Sequence, residues 1–215
     1  MSKPRLQRGL YLITPDESDP ARLLERVAPL LPFAARLQLR CKSMPRDALR
    51  EAASLLRAAC REAGVPFIVN DDARLAREVG ADGVHLGEHD GAIAEARALL
   101  GDSAIIGVSC YDSLERASAA TAVGADYIAF GAFFPSPTKP HARRATPGLL
   151  RDSATFGLPR VAIGGITPDN AHALVTAGAD LVAVIGGVFD APDPVAAARA
   201  IHSLFQNKNL EVENA

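Results

Sequence analysis

Short apolar runs alternate with amphipathic stretches along the chain, at the spacing expected for alternating β-strands and α-helices. A phrase of glycine, alanine and aspartate followed by an apolar run begins at Gly80, Gly124 and Gly178. The leading glycine suits the left-handed residue that follows a helix, and the apolar run suits a parallel strand covered on both faces. The phrases start 44 and 54 residues apart with another apolar run between each pair, so each interval holds two strand-helix units.

Five further apolar runs bring the number of predicted strands to eight. These runs cover residues 10–14, 37–40, 67–70, 105–109 and 161–164. Eight alternating units with right-handed crossovers close into a barrel more readily than they form an open sheet. We therefore predict an α/β protein, a single-domain (β/α)₈ TIM barrel over residues 1–207 with a disordered tail over 208–215. An open doubly wound sheet is the alternative.

Composition and charge narrow the class of protein. The 215 residues are 48% hydrophobic and carry a formal net charge of -2, which leaves no basic excess for a nucleic-acid backbone. No apolar run approaches the ~20 residues that span a bilayer, and the amino terminus has no apolar signal segment. Cys41, Cys60 and Cys110 lack the spacing of a metal site, so we expect reduced thiols. We predict a cytoplasmic enzyme without a nucleic-acid or membrane partner.

Polar residues at the ends of the predicted strands should carry the chemistry, because active sites of this barrel lie at the carboxyl ends of its strands. In the second strand, a period of two places Gln38, Arg40 and Lys42 on one side. If that side faces the interior, two cations line the mouth of the barrel and favour an anionic ligand. The alternative is an outward face on which both cations extend past the helices to solvent.

Carboxylates follow the third and fourth predicted strands. Asp71 and Asp90 stand at neighbouring strand ends without a cysteine and histidine cluster, which suits Mg²⁺ better than Zn²⁺. Such aspartates can instead be helix N-caps, and we assign that role to Asp72. Ser109 closes the fifth strand, where its hydroxyl is placed to donate to a phosphate.

Two other kinds of segment carry groups that can donate hydrogen bonds to a phosphate. The loop after the sixth strand is stiffened by prolines and displays Ser136, Thr138 and Lys139 as hydroxyl and ammonium donors. Glycine pairs that begin at Gly164 and Gly186 follow the last two strands, where this barrel often binds phosphate through its backbone. Close packing or turn geometry is the alternative explanation for the glycines.

These residues together resemble the thiamine phosphate synthase family, from Gly9 to Gly186. The motifs that carry the resemblance are Gln38-Leu39-Arg40-Cys41-Lys42, Asn70-Asp71, His85-Leu86-Gly87 with Asp90, Thr138-Lys139 and Ala162-Ile163-Gly164-Gly165-Ile166. The resemblance implies a transferase that uses Mg²⁺ as its cofactor. Its reaction joins a hydroxymethylpyrimidine diphosphate to a hydroxyethylthiazole phosphate, or to the carboxylated thiazole, and yields thiamine phosphate and diphosphate.

The resemblance also implies roles by position, with Asp71 and Asp90 as magnesium ligands. The implied catalytic groups are Arg40, Lys42, Ser109 and Lys139. The residues that it places around the substrates are Gln38, Leu39, Arg40, Cys41, Lys42, Asn70, Ser109, Ser136, Pro137, Thr138, Lys139, Gly165, Ile185 and Gly186. The chain departs from the family pattern at Glu88 for glutamine, Tyr111 for histidine, Ser136 for threonine and Gly186 for serine. The last change removes a hydroxyl from the expected thiazole phosphate site.

Two other functions fit the same fold. A thiazole tautomerase-like barrel has no diphosphate to neutralise, so it would not need Lys42, Asp71, Asp90 and Lys139 together. A non-catalytic sensor of a thiamine-pathway phosphate would not need the stiff lysine loop. The expected partners are phosphorylated small molecules, and a homodimer stays open as the assembly.

Overall fold

Neighbouring strands of the chain pair in parallel until the sheet closes on itself. The computed structural model describes residues 7–88, 91–135 and 143–212. Its eight strands form a closed barrel in chain order. They are β1 (Gly9–Ile13), β2 (Ala34–Leu39), β3 (Phe67–Asn70), β4 (Gly83–Leu86), β5 (Ile105–Tyr111), β6 (Tyr127–Gly131), β7 (Arg160–Ile163) and β8 (Leu181–Val184). The predicted (β/α)₈ barrel is confirmed, and the open sheet is excluded.

Helices alternate with the strands and pack on the outside of the barrel. They are α1 (Pro20–Val27), α2 (Arg46–Ala63), α3 (Ala73–Glu78), α4 (Ile93–Leu100), α5 (Leu114–Ala122), α6 (Pro147–Asp152), α7 (Pro168–Thr176), α8 (Gly186–Phe189) and α9 (Pro194–Val212), with 3₁₀ segments at Ala28–Phe33 and Ser153–Phe156. The last helix continues past residue 207, where the sequence placed the end of the barrel. Within the described ranges, every helix is too short or too polar to span a bilayer.

The repeated glycine and aspartate phrase ties adjacent strands together. Gly80, Gly124 and Gly178 adopt φ values of 64°, 92° and 106°, as predicted for residues that follow a helix. The aspartate of each phrase accepts a backbone N–H from a neighbouring strand and pairs with an arginine. These contacts join Asp82 to Phe67 and Arg57, Asp126 to Ile106 and Arg97, and Asp180 to the backbone and side chain of Arg160. The aspartate of each phrase therefore fastens neighbouring strands of the barrel to one another.

The barrel interior is apolar apart from a few polar side chains. Its cluster of buried residues includes Tyr11, Ile13, Ile68, Ile105, Tyr127, Ala129, Val161, Leu181 and Ala183. Arg36 and Gln38 of β2 project among them and are only 1% and 2% exposed. Gln38 is hydrogen-bonded to Tyr11. Nε and Nη1 of Arg36 have no hydrogen-bond partner among the described residues, and its guanidinium lies over the rings of Tyr11 and Tyr127.

The cysteines of the described residues are all free thiols, as predicted. Burial raises the pKa of Cys60 to about 12 and that of Cys110 to about 11, so neither is an activated nucleophile. Cys41 is half-buried, and its thiol donates to the backbone oxygen of Glu17.

Candidate functional site

β2 presents its polar side chains to the interior, as its period of two predicts. The side-chain nitrogen of Gln38 donates to the hydroxyl of Tyr11 across the lumen, 2.8 Å away. Two residues further on, Arg40 reaches the carboxyl end of the strand and lines a small cavity of about 80 Å³. Gln38 therefore faces the interior, and the same alternation continued past Leu39, the last residue of the strand, favours that side for Arg40.

That cavity joins the carboxyl ends of β2 and β3. Its polar lining comes from Arg40, Cys41, Lys42, Asn70 and Asp71, and leucine and valine side chains complete it. Residues separated by some thirty positions in the sequence thus meet because parallel strands end at the same rim. The residues that line the cavity thus include two basic residues, an asparagine and an aspartate.

The loop after β1 holds the backbone of the Arg40 segment in place. The hydroxyl of Thr14 lies 2.9 Å from the backbone nitrogen of Arg40 and 2.9 Å from its carbonyl oxygen. The side chain of Asp16 accepts the backbone N–H of Lys42 at 2.7 Å. Sequence reasoning missed both residues, although the rule that strand ends carry function, applied to β1, would have found them.

Asp71 and Asp72 have different surroundings at the end of β3. Asp71 has a φ of 65°, and its backbone N–H donates to the carbonyl of His85 at 2.8 Å, while its side chain is exposed. Asp72 caps α3 by accepting the N–H of Leu75 at 2.8 Å, so the predicted N-cap is confirmed. Partial burial alone would raise the pKa of Asp72, but the Leu75 N–H and the Arg46 guanidinium outweigh it and lower the pKa.

A chain of hydrogen-bonding side chains crosses the lumen beneath the rim. The hydroxyls of Tyr11 and Tyr127 lie 2.8 Å apart. His85 lies 2.9 Å from the Tyr127 hydroxyl through Nδ1 and 2.9 Å from the Ser109 hydroxyl through Nε2. Together with Gln38, these side chains connect the polar ends of β2 and β5, so two predicted substrate-binding residues share one network.

Two departures from the family pattern meet above β5. Arg116 of α5 pairs with Glu88 after β4, with Nη1 and Oε1 2.7 Å apart. The same guanidinium lies over the ring of Tyr111 at 5.3 Å, and that of Arg143 lies over the ring at 5.5 Å. Tyr111 adopts a φ of 55°. These contacts link the segments after β4, β5 and β6, and the sequence alone gave no signal for Arg116.

The glycines after β7 admit a close approach of the loop after β6. Gly164 and Gly165 have φ values of 105° and 63°, and a Cβ on Gly165 would overlap the carbonyl oxygen of Pro135. The carbonyl of Gly164 accepts the N–H of Phe134 at 3.0 Å, and that of Gly165 accepts the side-chain N–H of Asn170 at 3.0 Å. The close approach of the loop after β6 and the positive φ values therefore both require glycine at these positions.

The rim after β8 is lined by Ile185 and Gly186, which lead into the short helix α8. A Cβ on Gly186 would lie 2.6 Å from a carboxylate oxygen of Asp190. Asp190 also faces Arg26, with Oδ1 and Nη2 3.9 Å apart. The position at which the resemblance implies serine is thus next to the acidic side chain of Asp190.

Several predicted site residues lie outside the described ranges. They are Asp90, Ser136, Pro137, Thr138 and Lys139. Of the predicted residues that are described, those on β2 and β3 share the small cavity. Ser109, Gly165, Ile185 and Gly186 occupy the ends of β5, β7 and β8.

A larger cavity lies away from the strand ends. It has a volume of about 320 Å³ and is lined by Ser54, Arg57, Arg61 and Gly80 between α2 and α3. The guanidinium of Arg57 already has partners there, because it donates to the carbonyl of Gly80 and forms an ion pair with Asp82. The amino ends of the strands serve stability in this barrel, so we place the chemistry at the opposite face.

The fold and rim define a (β/α)₈ barrel with basic, acidic and amide groups at the carboxyl ends of its strands. The sequence model of the family described as thiamine monophosphate synthase matches residues 10–188, and the chain belongs to that family. It is 62% identical over 204 residues to a thiamine-phosphate synthase of Xanthomonas campestris, covering 94% of this chain and 99% of that protein.

Two further relatives agree. The chain is 54% identical to a thiamine-phosphate synthase of Xylella fastidiosa, covering 95% of this chain and 86% of that protein. A solved thiamine phosphate pyrophosphorylase from Pyrococcus furiosus superposes with a TM-score of 0.82 at 35% identity, covering 94% and 96% of the two chains. Fold and sequence therefore point to the same family.

Proposed function

We propose that the chain is a transferase that joins hydroxymethylpyrimidine diphosphate to hydroxyethylthiazole phosphate and releases diphosphate. The observation that carries the proposal is the meeting of Arg40, Lys42, Asn70 and Asp71 in one cavity at the rim. Family membership supplies the reaction class, and the cavity supplies the groups that a diphosphate needs.

The diphosphate is proposed to lie against the cations of the cavity. Arg40 and Lys42 hold its oxygens by charge-assisted hydrogen bonds, and Ser109 donates its hydroxyl from β5. Gln38 and Asn70 contact the pyrimidine diphosphate from β2 and β3. Lys139 is proposed to contribute a further cation from the loop after β6, outside the described ranges.

Mg²⁺ is proposed to bind Asp71 together with Asp90. The described part of the site fits that ion, because Asp71 offers an exposed carboxylate beside Asn70 in the same cavity. Magnesium commonly binds through one or two carboxylates and substrate phosphate oxygens, and it keeps several waters. When bound, it would neutralise charge on the departing diphosphate.

In the proposed reaction the diphosphate leaves first, and the thiazole nitrogen then attacks the cation that remains. The bond between the methylene carbon and the diphosphate oxygen breaks, and the electron pair leaves with the diphosphate. The aminopyrimidine stabilises the resulting methylene cation until the lone pair of the thiazole nitrogen forms the new carbon–nitrogen bond. The attacking nitrogen carries no proton, so the side chains act by position and charge and not as a general base.

The thiazole phosphate is proposed to bind at the opposite side of the rim. Gly165, Ile185 and Gly186 surround it through their backbone, with Ser136, Pro137 and Thr138 from the loop after β6. The packing of Phe134 against Gly164 places the beginning of that loop beside the β7 rim, which supports this arrangement.

The pattern of free thiols and the balanced charge support a cytoplasmic enzyme that acts on small phosphorylated molecules without a nucleic-acid partner. A homodimer remains the proposed assembly to test.

The test is product formation by the purified protein. Incubation with both phosphorylated precursors and magnesium should yield thiamine phosphate and diphosphate in equal amounts, and Arg40→Met should lower the rate on the order of 10²-fold. Arg151→Met, on the exposed last turn of α6, is the control for loss of a positive charge. A tautomerase would isomerise the thiazole carboxylate phosphate without releasing diphosphate, and a sensor would bind without turnover. Either result would refute the proposal.

A further inference from the structure

We propose that Arg26, in the last turn of α1, is a positioning residue for both halves of the proposed active site. Its guanidinium joins the loop after β1, which supports the Arg40 segment, to α8, which begins at the proposed thiazole phosphate residues. The assignment of a substrate to each half rests on the function proposed above. The contacts of Arg26 and the order that they give to the rim do not.

The position of Arg26 lets it reach two segments of the rim. Strands β1 and β8 pair where the barrel closes, so the segments that follow them lie side by side. The Arg26 side chain is 32% exposed, whereas that of Arg22, one turn earlier on the same helix, is 71% exposed. Protein groups therefore cover much of the Arg26 side chain and little of Arg22.

The loop after β1 contacts three consecutive residues of the proposed diphosphate site. Thr14 and Asp16 bond the backbone of the 40–42 segment. The backbone oxygen of Glu17 accepts the thiol of Cys41 at 3.3 Å. The carboxylate of Glu17 in turn faces Arg26, with Oε2 and Nη1 3.7 Å apart. Arg26 therefore anchors the loop that supports the backbone of this segment.

The same guanidinium also contacts the end of α8. Nη2 of Arg26 donates to the carbonyl oxygen of Phe189 at 3.3 Å, and the guanidinium lies over the Phe189 ring, 5.7 Å from its centroid. Nη2 also lies 3.9 Å from Oδ1 of Asp190. Carbonyl groups in the last turn of a helix have no partner within that helix, so Arg26 supplies a hydrogen bond that α8 cannot make itself.

The contact at Phe189 reaches the rim because α8 is only four residues long. The N–H groups of Val188 and Phe189 donate to the carbonyl of Ile185 at 3.1 and 3.0 Å. The N–H of Asp190 donates to the carbonyl of Gly186 at 3.0 Å. Ile185 and Gly186 are the residues proposed to surround the thiazole phosphate, so a shift of Phe189 would displace their backbone.

Arginine suits a link between two segments because its planar fork serves two partners at the same time. Nη1 of Arg26 faces Glu17 while Nη2 donates to Phe189. Each contact is modest at a partly exposed site, so the link contributes more to the placement of the two segments than to the stability of the fold. Groups that bind substrate are sensitive to such small displacements.

Arg22 offers a matched control because it shares one partner with Arg26 and lacks the other. Its Nε lies 3.3 Å from the same carboxylate oxygen of Glu17. Within the described ranges, the Arg22 side chain makes no hydrogen bond or ion pair with α8. Substitution of both arginines in turn therefore separates the loss of a charge beside Glu17 from the loss of the link to α8.

The first test needs no substrate. Amide hydrogen exchange in the full chain, followed by NMR, should be about fivefold faster at Lys42 and at Asp190 in Arg26→Met than in the wild type. Arg22→Met should change either rate by less than about twofold, and so should both variants at Ile106 on the opposite side of the barrel. Unchanged exchange at either of the first two amides in Arg26→Met, equal acceleration in both variants, or equal acceleration at Ile106 would overturn the proposal.

The second test measures both proposed substrates. Arg26→Met should raise each KM about fivefold with kcat within about twofold of the wild type, because it weakens binding and leaves the reacting groups in place. Glu17→Gln keeps the oxygen that accepts the N–H of Ser18 but loses the charge that faces Arg26, so it should raise only the KM for the pyrimidine diphosphate. Arg22→Met should leave both KM values unchanged.

The outcomes separate this proposal from the proposed function. A rise in only one KM in Arg26→Met, or equal KM values in Arg26→Met and Arg22→Met, would overturn the role of Arg26 in both halves of the site. The predicted exchange rates in a protein that forms no thiamine phosphate would instead refute only the proposed function.

Discussion

The hydroxyl of Thr14 bonds both the backbone nitrogen and the carbonyl oxygen of Arg40, at 2.9 Å each. A threonine at the end of β1 therefore fixes the backbone from which the proposed diphosphate-binding cation extends. Thr14 is itself almost completely buried, so no solvent molecule can easily replace its hydroxyl.

Thr14→Val should weaken binding of the pyrimidine diphosphate selectively. The variant keeps the volume of the side chain but removes two hydrogen bonds, at about 1 kcal/mol each. We expect the KM for the pyrimidine diphosphate to rise about 10-fold, while the KM for the thiazole phosphate stays the same. Thr14→Ser, which keeps the hydroxyl, should restore the wild-type value. An equal rise in both KM values would contradict a local effect on Arg40.

Substitution of the two adjacent aspartates at the end of β3 should change the magnesium dependence of the rate in one case and not in the other. Asp71→Asn should raise the magnesium concentration that gives half-maximal rate on the order of 10-fold, because it removes a proposed ligand charge. Asp72→Asn is the matched control, since asparagine still caps α3 and the magnesium dependence should not change. Magnesium titration of the rate in both variants measures the contrast, and equal magnesium curves would remove Asp71 from the metal site.

Asp72 should also make a pH-dependent contribution to the free energy of unfolding. Its folded-state pKa is lowered, so its contribution is present above the unfolded pKa of about 3.9 and is lost as the pH falls through the folded pKa. The free energy of unfolding of the wild type should exceed that of Asp72→Asn by about 0.5 kcal/mol near neutral pH. The difference should shrink below about pH 4, as measured by urea denaturation. If the difference in unfolding free energy between the two proteins grew below about pH 4, the pKa of Asp72 would be raised in the folded state and not lowered.

Gly186→Ser should improve use of the thiazole phosphate. It introduces the hydroxyl that the resemblance implies at this position, and the only close neighbour of the new Cβ among the described residues is the Asp190 carboxylate. We expect the KM for thiazole phosphate to fall about threefold, with the free energy of unfolding within about 0.5 kcal/mol of the wild type. A rise in that KM would show that Asp190 cannot move aside.

Asp126→Ala should destabilise the fold without involving the proposed site. Asp126 accepts from Arg97 and from the backbone of Ile106, and the side chains of the ion pair are only 19% and 11% exposed. Removing one partner of such a pair should cost about 3 kcal/mol of unfolding free energy. Asp47→Ala, whose side chain is 96% exposed, should change stability by less than about 0.5 kcal/mol. Similar losses in both variants would contradict the role given to the repeated phrase.

The sequence predicted the eight strands and the inward face of β2 because both follow from local patterns. Gly80 and its repeats mark helix ends, and a period of two separates Gln38 and Arg40 from their outward neighbours. The contact between Tyr11 and Tyr127 was not predictable in this way. These residues are 116 positions apart, and only closure of the barrel with a defined register brings their hydroxyls together.

The most direct measurement of the central claim is a crystal structure with the pyrimidine diphosphate and magnesium, without the second substrate. The account predicts diphosphate oxygens within hydrogen-bonding distance of Arg40 and Lys42, with magnesium on Asp71. Diphosphate bound instead in the larger cavity of Arg57 and Arg61 between α2 and α3, away from the strand ends, would contradict it.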